Sequence, residues 1–156
     1  MKKPLVILLA LALLCCAACG RNDSGQKAEG LRIYYAVSGR EQAEKGLVDY
    51  ITVTVPEDAA PLDYVLERIF APPEREGLAS PYPQGTRVLE AQQRDKQVVL
   101  RLSNAYSELN GLEETIADYC IVLSLCQLEG VESVSIRAQN GGDKFALRPE
   151  DVILGG

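Results

Sequence analysis

The sequence predicts an α/β (α+β) domain in which a single mixed β-sheet is packed by two helices, in the order β-β-α-β-β-α-β-β. Three observations predict it. Residues 47–55 (LVDYITVTV) alternate Tyr50, Thr52 and Thr54 with Ile51, Val53 and Val55, the period of a half-buried strand. Residues 61–70 change period, with Leu62, Val65, Leu66, Ile69 and Phe70 at helical spacing and Asp63, Glu67 and Arg68 on the other side. Residues 112–128 then carry apolar side chains almost all round, which predicts a central and largely buried helix.

The elements follow in chain order. Residues 31–37 (LRIYYAV) are branched and aromatic and end at a Ser-Gly turn, so they form the first strand. The second, 47–55, stops at Pro56. Asp58 or Ala60 would cap the first helix, Pro61 is tolerated in its first turn, and Pro72-Pro73 ends it because neither proline has an N–H to donate. Residues 77–86 (GLASPYPQGT) form a loop in which two glycines give freedom and Pro81-Tyr82-Pro83 gives stiffness. Residues 87–91 and 97–102 read as paired strands around a polar turn at 92–96. Asn110 and Glu113 have the spacing of a capping box before the helix at 112–128, and Gly130 is its stop signal. Residues 131–138 alternate as a strand, and Asn140-Gly141-Gly142-Asp143 turns the chain back into a last strand at 144–147.

The first 19 residues are of another kind. Lys2 and Lys3 precede an unbroken apolar run from Leu5 to Ala18, about 14 residues against the roughly 20 that a spanning helix needs. This predicts a signal peptide at residues 1–18. The run ends in Cys16-Ala17-Ala18-Cys19, which resembles the lipobox of bacterial lipoproteins; Cys19 would be acylated and become the new N-terminus. The alternative is a secreted protein cleaved nearby. Residues 19–30 then form a lipidated, polar and glycine-bearing tether, and 31–156 a single domain.

Composition narrows the function classes. The net charge is −6, and removing the leader takes away two lysines and no acid, leaving −8. Such a surface repels phosphate backbones and anionic headgroups, so nucleic acid is not expected as a partner and membrane contact would come through the lipid. The chain has no histidine, which removes the commonest general base, the commonest zinc ligand and every Ser-His or Cys-His arrangement. Cys120 and Cys126 lie six residues apart; on a helix that is a rise of roughly 9 Å, too far for a bridge that needs Cα atoms within about 7 Å. They read as small buried hydrophobes.

Several segments together resemble the GerMN domain lipoprotein family (sporulation and spore germination): LRIYY at 31–35, FAPP at 70–73, GLASPYPQGTRVL at 77–89, VVLRLS at 98–103 and LEGVESV at 128–134. The resemblance spans about residues 31–147, and the GLxSxxPxGT pattern is its most specific part. It implies a non-enzymatic, membrane-anchored module on the extracytoplasmic face. Its partners would be envelope or sporulation proteins, and self-association through sheet edges and helix faces is compatible with it.

The candidate interaction loop comprises Gly77, Leu78, Ser80, Tyr82, Pro83, Gly85, Thr86 and Arg87. Two readings of it stand side by side. Either Tyr82 is presented between its prolines with Ser80, Thr86 and Arg87 as polar contacts, or Tyr82 packs over the sheet while the glycines and prolines shape a crossover. No catalytic residue, cofactor or metal site is expected, since Ser80 has no partner lysine or GxSxG elbow and the acids lack an EF-hand pattern. Carboxylates are plentiful at Glu113, Glu114, Asp118, Asp143, Glu150 and Asp151, but those at the helix start are expected to complement its dipole and Asp143 belongs to a turn. Alternation sends Tyr34 and Tyr35 to opposite sheet faces, so one could serve protein or glycan contact. A solute- or wall-polymer-binding lipoprotein, with a deep aromatic pocket, is the alternative function; a hydrolase would need convergent polar groups.

Overall fold

The computed structural model describes residues 30–39, 46–142 and 145–152. The expected leader, Cys19 and residues 20–29 of the tether lie outside them, as do Asp143 and Lys144. The described residues build six strands and two α-helices: β1 (Leu31–Val37), β2 (Val48–Val53), α1 (Pro61–Phe70), β3 (Leu78–Ala79), β4 (Val88–Arg94), β5 (Gln97–Leu102), α2 (Gly111–Leu125) and β6 (Ser133–Ala138). One-turn 3₁₀ segments occupy Asn104–Glu108 and Pro149–Asp151.

The mixed α+β class with two helices stands, but the single sheet divides into two of three strands, ordered β2-β1-β3 and β4-β5-β6. The reason lies at the second edge of β1. Its last two residues, Ala36 and Val37, pair with the short β3. Its first half is taken by helix α2. The Tyr34 N–H donates to Ser124 Oγ at 3.0 Å, the Arg32 N–H donates to Gln127 Oε1 at 2.9 Å, and Gln127 Nε2 donates back to the Arg32 carbonyl at 2.7 Å. With its backbone groups satisfied by Ser124 of α2 and by Gln127 just past the end of that helix, β1 offers no ladder for a strand of the second half to join.

In the first sheet both pairings are antiparallel, and Tyr34 lies opposite Tyr50 with ring centroids 5.5 Å apart. Ile33, Tyr35 and Val37 point inward and are buried. In the second sheet β5 is central. It pairs antiparallel with β4 and parallel with β6, and the parallel pairing needs the long crossover that α2 supplies. Val98, Leu100 and Leu102 of β5 stand beside Val134, Ile136 and Ala138 of β6, all buried. These side chains meet Val65, Leu66 and Ile69 of α1 and Ala117, Ile121, Val122 and Leu125 of α2 in one core.

Four further boundaries differ from expectation. The turn expected at 92–96 shrinks to Asp95-Lys96, with Asp95 at φ +52°, because Gln92 bonds Glu90 and Arg94 bonds Gln92 along the exposed face, so polar residues continue the strand. β3 forms inside the expected loop, where Leu78 and Ala79 meet the end of β1. Among the described residues the last strand is reduced to a single bridge between Leu147 and Val134, with Phe145 exposed and Pro149 just beyond. Asn110 is the N-cap of α2, but its side chain does not cap; the amide turns to the Glu108 carbonyl instead.

Candidate functional site

The sequence-predicted loop is held at both ends. Gly77, at φ +80°, turns the chain, and its carbonyl accepts from the Ser38 N–H at 2.9 Å, which delivers Leu78 to the β1 edge. Ser80 is exposed, and its hydroxyl accepts from the Tyr82 N–H at 3.4 Å. The Pro83 carbonyl accepts from the Thr86 N–H at 3.1 Å, a tight turn that Gly85 closes at φ +88°.

The other end depends on a residue to which sequence reasoning gave no role. Ser103 is buried; its hydroxyl donates to the Gly85 carbonyl at 3.0 Å and accepts from the Arg87 N–H at 3.1 Å, while its own N–H donates to the Arg87 carbonyl at 2.9 Å. Three bonds therefore fix residues 85–87 to the end of β5. No local pattern could announce this, because the partners lie 16 to 18 residues apart along the chain.

The structure divides the predicted residues among three places. Gly77 and Leu78 belong to the sheet. Ser80, Tyr82 and Pro83, with Pro81, line a recess of about 390 Å³ whose other wall is Leu109, Glu113 and Ile116 at the start of α2. Leu112 is 61% exposed and shares a helix face with Ile116, so the apolar surface continues out of the recess. Thr86 and Arg87 line a separate, open groove of about 640 Å³ between α1 and β4.

Tyr82 faces inward. Its ring packs on Phe70 with centroids 4.7 Å apart, and its hydroxyl is enclosed without a hydrogen-bond partner. Burial pushes this phenol well above its ordinary range, reinforced by Cys120, Tyr106 and Tyr35 nearby. A buried hydroxyl with no partner is unfavourable, so Tyr82→Phe should leave stability unchanged or raise it, whereas Tyr82→Ala should lower it by about 3 kcal/mol or more. Urea unfolding of both variants checks this; a large loss in the phenylalanine variant would mean that the hydroxyl is bonded.

Beneath the loop the neighbouring polar groups are paired. The Tyr106 hydroxyl donates to Asp118 Oδ1 at 2.5 Å, with both residues buried, and the Tyr35 hydroxyl donates to the Arg68 carbonyl at 2.6 Å. Asp118 is thus a partner of a core tyrosine, not one of the acids placed to meet the helix dipole. Glu113 and Glu114 do lie in the first turn of α2. Cys120 and Cys126 are free thiols; burial pushes Cys120 up to about 12, and burial with nearby Glu150 pushes Cys126 up to about 11. Among the described residues no group of three or more metal-ligating side chains converges, and no helix is long and apolar enough to cross a membrane.

The family model for Germane, sporulation and spore germination, matches residues 32–142. The fold is similar to the first GerMN domain of the sporulation protein GerM from Bacillus subtilis, with a TM-score of 0.57 at 17% identity over 79% of this chain and 97% of that one. It is also similar to the tandem GerMN domains of the same protein, with a TM-score of 0.52 at 17% identity over 83% of this chain, which spans 47% of the tandem. No curated protein sequence matches the chain. With the family model covering all but the first residue of β1 and running through β6, the chain belongs to the Germane family of sporulation and spore germination domains.

Proposed function

We infer that this chain is a lipid-anchored, extracytoplasmic and non-enzymatic interaction module that helps assemble envelope proteins during sporulation or germination. The apolar surface beside the loop carries this reading. Pro81 and Pro83 stiffen one side of the recess, Leu109 and Ile116 form the other, and Leu112 extends it into solvent. A contiguous apolar patch on an otherwise acidic domain is what a protein interface needs. The absence of histidine in the sequence supports the non-enzymatic reading, since acid–base and nucleophilic schemes would have to do without it. The anchor is read from Cys19 and the small residues before it.

Two variants test the proposal. Cys19→Ala should move the chain from the detergent phase to the aqueous phase; unchanged membrane partition would count against lipidation. The double substitution Leu112→Ala with Glu113→Ala removes two exposed side chains at the recess and leaves Tyr82, whose loss would disturb packing, in place. Truncation at the centre of an interface costs about 2 kcal/mol or more. Chemical crosslinking in sporulating cells should therefore recover much less partner with the double variant, at unchanged circular dichroism. Equal recovery would remove this patch from the interface.

A further inference from the structure

We propose that the outer edge of β4 is a strand-addition site for an extended peptide segment of a partner that carries lysine or arginine at alternate positions. This rests on reading the chain as an interaction module and names the class of partner and the binding mode.

Each of the other long strand edges is met at one or more positions by the chain itself. Ser124 and Gln127 occupy the first half of the β1 edge. The guanidinium of Arg75 donates to the Tyr50 carbonyl at 2.9 Å on the outer side of β2. Leu147 exchanges two backbone hydrogen bonds with Val134 on the outer side of β6, both 2.8 Å. β3 has only two residues. The edge of β4 is seven residues long, and no strand pairs with it among the described residues. The closing pair Arg94–Gln97 of its hairpin sets the alternation of the antiparallel ladder, so Ala91 and Gln93 direct their N–H and C=O groups outward. A backbone edge left open in this way is a template for another strand.

The groove beside that edge indicates the chemistry of the added strand. Leu66 and Leu89 contribute apolar surface. On its α1 wall Asp63 and Glu67 lie four residues apart and exposed, and neither makes an ion pair among the described residues. An incoming strand bonded to Ala91 would lie about 4.8 Å beyond β4, along the same groove, and would place alternate side chains near these two carboxylates. Basic residues there are complementary, and acidic ones are repelled.

The test uses the full chain, ¹⁵N-labelled, and a peptide of about ten residues alternating lysine and threonine. Titration should shift the Ala91 and Gln93 amides and slow their hydrogen exchange. A glutamate–threonine peptide should not do so, and N-methylation of the lysine peptide at its central residues should abolish the effect. Asp63→Lys with Glu67→Lys, both exposed, should weaken binding by roughly tenfold or more at low salt. Failure of the lysine peptide to shift those amides, equal binding of the acidic peptide, or indifference to the charge reversal would overturn the proposal. Shifts of the same amides with chain concentration alone would overturn it in favour of a second copy as occupant. If the Leu112 and Glu113 double variant loses its crosslinks while the β4 amides ignore the peptide, the interaction reading survives and strand addition does not.

Discussion

Leu100→Ala should destabilise the chain by about 2–5 kcal/mol, a large share of what a domain of this size possesses. Leu100 lies fully buried at the middle of the central strand of the second sheet, between Ala91 of β4 and Ile136 of β6. Both neighbours are held by ladders on their own strands and cannot move in to fill the space. Truncation therefore leaves a cavity that spans the joint between the antiparallel and parallel halves of the sheet. Urea unfolding followed by circular dichroism measures the effect; a loss below about 1 kcal/mol would mean that the core collapses around the deletion.

Stability should fall steeply above pH 9. Tyr35, Tyr82 and Tyr106 are all raised above the ordinary phenol value, chiefly by burial, and Cys120 is raised from 9.0 to about 12 by the same cause. These are acids whose folded form holds the proton more tightly than the unfolded chain does. Their contribution is fully present below the unfolded values and is lost progressively as pH rises from there through the folded values, because the unfolded state gains from ionisation that the folded state resists. Cys120 alone should lower stability by about 2–3 kcal/mol at pH 11, and the buried tyrosines add to the slope above pH 10. The urea midpoint should be level from pH 7 to 8.5 and drop between 9 and 11, less steeply in Cys120→Ala. A midpoint unchanged up to pH 11 would contradict the enclosed placement of these side chains.

Much of the fold was legible because its signals are local. The helical stripe of residues 61–70, the proline pair after it and the alternation of residues 31–37 and 133–138 each state a period, and the elements appear with small shifts in their ends. What could not be read depends on contacts between distant segments. The split into two sheets follows from Ser124 and Gln127 reaching β1 across 90 and 95 residues. Of the expected last strand, the described residues form one bridge at Leu147 before Pro149. The pairing of Asp118 with Tyr106 joins side chains 12 residues apart and carries no local signal. The loop at 77–87 was legible as a stiff, glycine-hinged segment, but its staple by Ser103 and its division between two recesses were not. Composition reveals that Tyr82 sits between prolines; only packing on Phe70 reveals that it faces inward.

The central claim is that the recess beside the loop meets another envelope protein, and site-specific photo-crosslinking tests it most directly. A photoreactive residue in place of Leu112 samples the apolar patch, and the same residue in place of exposed Glu129, beyond the other end of α2, samples a control surface. With the chain membrane-bound in sporulating cells, position 112 should give one discrete crosslinked species that is missing from position 129 and is lost when Glu113→Lys is added at the recess wall. Equal products at both positions, or none at 112 from a folded and anchored chain, would contradict the account.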